Sequence, residues 1–384
     1  MESMAKRSPT GLVTLQDIAD RCGVQVNAVS RALRGMKHVS PALRARVQEV
    51  AAELGYNPAQ HDAARRLALR RTGQTVRTHV IALFLPLPES SPPSRYFSDI
   101  YYGILRELET TGYSAQNSAI HDAPQHAITL PIPFHRGDVD GVIMMAKPYV
   151  CYPLQAALRA LPTFGARPVL SLMHQVDGTH FVGADDRAGA CAAASHLLTL
   201  GHRRLLLFVD RGQSPIETAR IAGVCEAYSR YGLDPAQYLH QYRLPCDYSW
   251  LNPAPQFFTT PEGTVPAREV QERQRLADYL HAHPEITGLL AQNDTNARHA
   301  WYTLRAMGRR VPDDISLIGF DDDNPIHNEE GHNILTSVRL PLFEIGRTAA
   351  RTLIRHIEEP ELPNEESILP PALILRASTG PAPR

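Results

Sequence analysis

The chain reads as a small all-helical head joined to a two-lobed α/β body. Three observations predict that class. Residues 14–56 carry short helical apolar patterns, the first 77 residues are basic on an acidic remainder, and about 300 residues then alternate apolar runs with amphipathic helices. At 384 residues the chain exceeds one ordinary domain and suffices for two or three. The expected divisions are a polar tail over 1–12, the head over 13–58, a linking arm over 59–75 and the body over 76–384.

In the head, Thr14 stands three residues before Asp17, the spacing of a capping box that starts a helix. Leu15, Ile18 and Ala19 recur at helical spacing, and Gly23 with Val24 breaks the run. Val26, Val29, Ala32 and Leu33 predict a second short helix. Ser40 and Pro41 then supply a cap and a first-turn proline for a third, with Leu43, Val47, Val50, Ala51 and Leu54 on its apolar face and Gly55 ending it. The small Ala19 and the turn at Gly23 let the first two helices cross closely at a steep angle. That arrangement projects the second helix outward, where it fits a DNA major groove. Charge agrees: residues 1–77 hold 13 Lys and Arg against 6 Asp and Glu, a net +7, while the rest holds 26 against 34, a net −8. Only the head is placed to meet a polyanion.

In the body, apolar runs predict strands over 80–85, 139–145, 168–172, 204–209, 288–291 and 315–320. Helices are expected over 97–110, 154–161, 188–200, 218–231, 267–281, 295–307 and 341–357. Apolar strands between helices imply parallel sheets covered on both faces. Two such sheets, with the chain crossing between them, form a cleft, and ligands bind beyond the carboxyl ends of the strands.

Other function classes find little support. The five cysteines (22, 151, 191, 225 and 246) are scattered and read as reduced thiols. No apolar run reaches membrane-spanning length and residues 1–11 are polar, so a cytoplasmic protein without membrane attachment is expected. Neither a G-x-G-x-x-G after a strand, a phosphate-cradling G-x-x-x-x-G-K-[ST], nor a G-x-S-x-G elbow occurs, so no enzyme and no cofactor is expected. His281 and His283, two apart at a helix end, point in different directions, and no metal set is read from them.

The head sequence VTLQDIADRCGV…AVSRAL…VSPALRARVQEVAAELGYNP resembles the DNA-binding domain of the lactose-repressor/galactose-repressor (LacI/GalR) family. The body repeats that family's landmarks in order, among them YFSDIYYGI, VDGVIMM, VGADDRAGACAAASHLLTLGHRRLLLF, GLLAQNDTNA, RVPDDISLIGFDD and LPPALILRAST, so the resemblance runs from about Val13 to Thr379. It implies a periplasmic-binding-protein-like body and a homodimeric repressor. Such a protein holds a near-palindromic double-stranded operator under control of a small-molecule effector, with a carbohydrate as the family's usual ligand. A transport receptor sharing the body fold is the alternative, but such receptors carry an export signal and no DNA-binding head.

The resemblance also assigns residues. Gln25, Val26 and Asn27 open the second helix and face base edges; Asn27 and Gln25 can pair bidentately with adenine, and Val26 can meet a thymine methyl. For Val26 and Val29 core packing is the other reading, adopted for Val29. Arg31 reaches a guanine or a phosphate one turn on, while Thr14, Ser30 and His38 hold phosphates. Residues 59–71 resemble a hinge helix whose Leu67 wedges into the minor groove, flanked by Arg65 and Arg66. Leu67 lies two residues further from Pro58 than in the family pattern, and a basic linker helix is the alternative. In the cleft, the resemblance places Tyr96 and Phe97, Arg220, Asn293 and Asp321 on the ligand, with Tyr248 or Trp250 as a stacking aromatic from a loop with five prolines between 245 and 266. Helix-start packing for Tyr96 and Phe97 and a turn cap for Asp321 stay open. Asp185 and Asp186, just before a helix, are expected to cap it.

Overall fold

The structure is a computed structural model that describes residues 13–33, 39–56, 77–85, 95–119, 128–146, 148–209, 214–243 and 267–383. His38, Arg65, Leu67, Tyr248 and Trp250 lie outside the described residues. The chain divides into two compact units, 1–77 and 78–384.

In the first unit, α1 (Leu15–Cys22), α2 (Val26–Leu33) and α3 (Pro41–Glu53) surround one small core. The capping box forms: the Asp17 N–H donates to Thr14 Oγ1 at 3.3 Å, and the Thr14 N–H donates to Asp17 Oδ2 at 2.6 Å. Gly23 ends α1 at φ 67°, a left-handed conformation that favours glycine, and the Val24 N–H returns to the Ala19 carbonyl at 3.0 Å. Ser40 caps α3, accepting from the Leu43 N–H at 3.3 Å. Ile18, Ala19, Val29, Ala32 and Val47 are fully buried between the helices.

The second unit holds two six-stranded sheets among the described residues. The first has the order β11-β5-β4-β3-β1-β2, from β1 (Val80–Leu85), β2 (Ser114–Ala119), β3 (Gly141–Met144), β4 (Val169–Leu172), β5 (His180–Ala184) and β11 (Glu366–Leu369). The second runs β12-β10-β9-β8-β6-β7, from β6 (Leu205–Val209), β7 (Leu239–Arg243), β8 (Gly288–Ala291), β9 (Ser316–Asp321), β10 (Thr336–Arg339) and β12 (Ala372–Ile374). Every pairing is parallel except that of β12 on β10.

Around the first sheet lie α4 (Arg95–Thr111), α5 (Ile132–Arg136) and α6 (Pro148–Ala160). Around the second lie α7 (Asp186–Thr199), α8 (Pro215–Arg230), α9 (Pro235–Tyr238), α10 (Ala267–Ala282) and α11 (Asp294–Ala306). The chain leaves the first sheet after β5, returns for α12 (Leu342–Glu358) and β11, then crosses again to β12. Three crossings join the lobes. One apolar core lies under the inner helices of both sheets, and each sheet packs a separate core on its other face.

Each lobe is braced by a helix pair that meets at a glycine. A Cβ on Gly346 would sit 2.1 Å from the Ile100 carbonyl oxygen where α12 crosses α4. One on Gly223 would sit 2.1 Å from the Arg187 carbonyl oxygen where α8 crosses α7. Only a bare Cα permits those approaches.

The strands that sequence patterning did not predict are mostly edges. β2 (SAQNSA) and β7 (LHQYR) terminate their sheets, pair on one side only and are polar enough to break an apolar run. α6 begins at Pro148, ahead of the expected 154, and carries Pro153 within it.

Candidate functional site

The head presents a polar face on α2. The Gln25 carbonyl accepts the N–H groups of Ala28 at 2.8 Å and Val29 at 3.3 Å, which fixes where the helix opens. Gln25, Asn27 and Arg31 are exposed, Ser30 is half-buried and Val29 is buried. Val26 is half-buried against the head core, so only part of its methyl surface is outward. The Thr14 hydroxyl donates to Asp17 Oδ2 at 2.7 Å, which makes the α1 cap its first task.

In the body, the predicted cleft residues meet around one cation. Arg220, on α8, donates through Nε to Asp186 Oδ1 at 2.7 Å and through an NH2 group to Asp321 Oδ1 at 3.3 Å, and it also bonds the Gln292 carbonyl. Its guanidinium carbon lies 3.5 Å from the centroid of the Phe320 ring. The Arg220, Asp186 and Asp321 side chains are 9%, 7% and 13% exposed, so this is a nearly dry ion cluster. Asp321 ends β9 at φ 93°, and Asp322 follows at φ 57°; positive φ at a non-glycine residue costs about 1–3 kcal/mol and persists where surroundings over-determine it. Asp322 is held by Arg376 at 2.7 Å and Arg339 at 2.6 Å, while Asp321 is held by Arg220.

Two more carboxylates complete the wall. Asp294 is buried, accepting from the Ser337 hydroxyl at 2.6 Å and from the Asp323 N–H at 3.0 Å. Asp323 in turn accepts the backbone N–H of Tyr96, at the start of α4 in the opposite lobe. Tyr96 is buried and meets the half-buried Phe97 edge-on, with centroids 5.4 Å apart. Two carboxylates, Asp186 and Asp321, thus hold the guanidinium, and Asp294 and Asp323 add negative charge beside Asp321. Burial pushes the Asp321 carboxyl up to about 7; Arg220 pulls it down, while Asp323 and Asp186 push it further up. Burial likewise lifts Asp323 to about 6, raises Asp186 and raises Asp294 well above the carboxylate range. Burial, then the Asp321 carboxylate, raises the Tyr96 phenol.

Of the predicted cleft residues, Tyr96, Arg220 and Asp321 come together, with Phe97 beside Tyr96. Asn293 serves as the cap of α11, its side-chain oxygen accepting the Asn296 N–H at 2.8 Å. The expectation that Asp185 and Asp186 both cap α7 needs correction. Asp185 does, accepting from the Ala188 N–H at 2.8 Å, but Asp186 turns inward to Arg220. Sequence reasoning also passed over Asp294 and Asp323. Acidic residues beside a strand end or helix start look like ordinary caps, and only the tertiary fold reveals their burial.

A sequence model described as bacterial regulatory proteins, lacI family, matches residues 14–59, and one described as a periplasmic binding protein-like domain matches residues 194–379. The chain belongs to the LacI family. It is 27% identical over 372 residues to the HTH-type transcriptional regulator DegA of Bacillus subtilis, covering 96% of this chain and 98% of that one. To the HTH-type transcriptional regulator CelR of Thermobifida fusca it is 28% identical over 352 residues, covering 90% and 92%. A solved LacI-family transcriptional regulator from Enterococcus faecium with bound ribose is 27% identical with a TM-score of 0.60, covering 79% of this chain and 99% of that one. This LacI-family chain is a DNA-binding transcriptional regulator: the head is the DNA-binding part, and the body has the two-lobed form of a binding protein. Among the described residues no helix is long and apolar enough to cross a membrane.

Proposed function

We propose that this regulator is a cytoplasmic homodimeric repressor whose hold on a near-palindromic operator is set by a polyhydroxylated effector, a sugar or sugar derivative. The observation that carries the reading is a group of four largely buried carboxylates, only two of which, Asp186 and Asp321, are paired with Arg220. Acceptors outnumber the one cation, and hydroxyl donors are the groups that such a wall takes up without adding charge. The relative with bound ribose supports that ligand class. Tyr96, Phe97, Arg220, Asp321 and, beyond the described residues, Trp250 are the proposed ligand contacts.

Because Asp323 of the second lobe holds the first turn of α4 in the first, a ligand between them biases the relation of the lobes. Across a dimer, that bias decides whether both heads reach their half-sites together. Base reading falls to Gln25, Val26, Asn27 and Arg31, backbone contact to Thr14, Ser30 and His38, and the minor-groove arm to Arg65 and Leu67.

The test is footprinting of the full-length protein on its own promoter DNA, with and without a panel of sugars. One sugar should change occupancy in the wild type but not in Asp321→Ala. Asn27→Ala should lose about 1–3 kcal/mol of specific binding and relax one operator position. An Asn27→Ala footprint identical to the wild type removes α2 as the reader. A normal sugar response in Asp321→Ala removes the cleft as the sensor.

A further inference from the structure

Three metal-ligating side chains face one another at the end of the second sheet away from the cleft. His240 is the second residue of edge strand β7 and pairs with Leu206 near the amino end of β6. His283 and Glu285 lie between α10 and β8, where the chain enters the sheet at its amino end. The cleft groups Gln292 and Asp321 sit at the carboxyl ends of β8 and β9, so a strand's length separates the two places.

One ligand atom from each of His240, His283 and Glu285 lies within 4.8 Å of the other two. Glu285 Oε1 is 3.5 Å from His240 Nε2 and 3.4 Å from His283 Nδ1. Ligand atoms of a tetrahedral zinc site, with bonds of about 2.0–2.1 Å, stand about 3.3–3.4 Å apart. Two of the three edges already have that length. The third needs to close by no more than about 1.5 Å, within reach of imidazole rotation.

The surroundings favour this arrangement. The Tyr279 ring packs on His283 with centroids 4.5 Å apart, and Tyr242 packs edge-on against Tyr279 at 5.2 Å, so His283 is oriented by an aromatic row. The two imidazoles stand 4.9 Å apart at 60°, tilted rather than stacked. Arg204, a neighbouring cation, is engaged elsewhere, donating to the Gln237 carbonyl at 3.2 Å and lying over the Tyr238 ring.

We propose that His240, His283 and Glu285 bind one zinc-class divalent ion, with water completing the tetrahedron, and that the ion fastens β7 to the segment between α10 and β8. Two imidazoles and a carboxylate suit a borderline-soft ion better than magnesium or calcium.

The experiment is calorimetric titration of chelator-treated full-length protein with Zn²⁺, paralleled by visible absorption on titration with Co²⁺. We expect one saturable site with the intense visible bands of tetrahedral cobalt. Loss of a group that merely supports a ligand costs about 10–100-fold in affinity. His240→Ala, His283→Ala and Glu285→Gln should therefore each weaken the site by at least about 10-fold, while His281→Ala at the same helix end leaves it unchanged. Zn²⁺ should raise the melting temperature of the wild type but not of His283→Ala. Absence of a saturable site at micromolar Zn²⁺, or a site that survives all three substitutions, overturns the proposal. Should His240→Ala fail to fold, the more exposed His283 and Glu285 carry the test alone.

Discussion

Each lobe of the body buries one cluster of titratable groups, and the two clusters are of opposite kinds. In the first, His180 and His356 stack with centroids 3.7 Å apart at 23°, both inside the protein. Burial pushes His180 down to about 4, and His356, Arg159 and Arg355 push the same way, so the pair is held neutral. In the second, burial lifts the cleft carboxylates, Asp321 to about 7, with one guanidinium among them. A neutral ring stack carries no charge that a ligand would have to match. A carboxylate cluster that outnumbers its cation has acceptors beyond those its cation takes up, and it lies at the carboxyl ends of β8 and β9, where the effector is proposed to bind. The difference separates a group held neutral within the packing from one to which the proposed function assigns binding, although both are buried and both are shifted.

The strongest way to break that contrast is Arg220→Ala. Removing one partner of a buried ion cluster costs about 3–5 kcal/mol, because uncompensated charge stays behind. The loss should be smaller at pH 5 than at pH 8, since the stranded carboxylates escape by protonation; equal losses at both would mean they are not charged partners. Next in size are Gly346→Ala and Gly223→Ala. Overpacking costs about 1–3 kcal/mol, exceeding the helix-propensity gain of up to about 1 kcal/mol. Denaturant melts should show both variants destabilised, and a neutral result in one lobe would show that its helix pair can slide.

The pH dependence of stability then distinguishes the two clusters by sign. A histidine with a lowered folded pKa contributes stability that is present above about 6.5 and lost as pH falls toward about 4. An aspartate with a raised folded pKa contributes stability present below about 3.8 and lost as pH rises through about 7. Melting temperatures from pH 4 to 8 should therefore show His180→Phe removing an acid-side loss and Asp321→Asn removing a loss toward neutrality. His299, lowered to about 4 by burial in the second lobe, shares the sign of His180 and remains in both variants. Parallel profiles for the two variants would erase the distinction. The smallest effect is expected from Asp323→Asn, whose carboxyl burial lifts only to about 6: it too should remove a loss toward neutrality in the same melts, by less than Asp321→Asn.

Much of the architecture was legible because it is written in local signals. Thr14 with Asp17, Gly23, and Ser40 with Pro41 mark the head helices through capping chemistry that acts within a few residues. The central strands β1, β6, β8 and β9 are buried on both faces and read as apolar runs. Edge strands such as β2 and β7 do not, because half of each is solvated. The cleft was partly legible: Arg220 and Asp321 stand in motifs with a recognisable order, whereas Asp186 looks identical to its neighbour Asp185 until the fold turns one outward and the other inward. The contact of His240 with Glu285 has no trace in the sequence, since 45 positions separate the two.

The route of the chain between the lobes also has a consequence for biosynthesis. On a ribosome the amino-terminal lobe emerges first, yet its bracing helix and its outer strand are encoded after five of the six strands of its neighbour. The lobe begun first therefore stays incomplete until most of the other has been made, and a nascent chain stalled before position 342 would expose the apolar flank of α4 to any chaperone within reach.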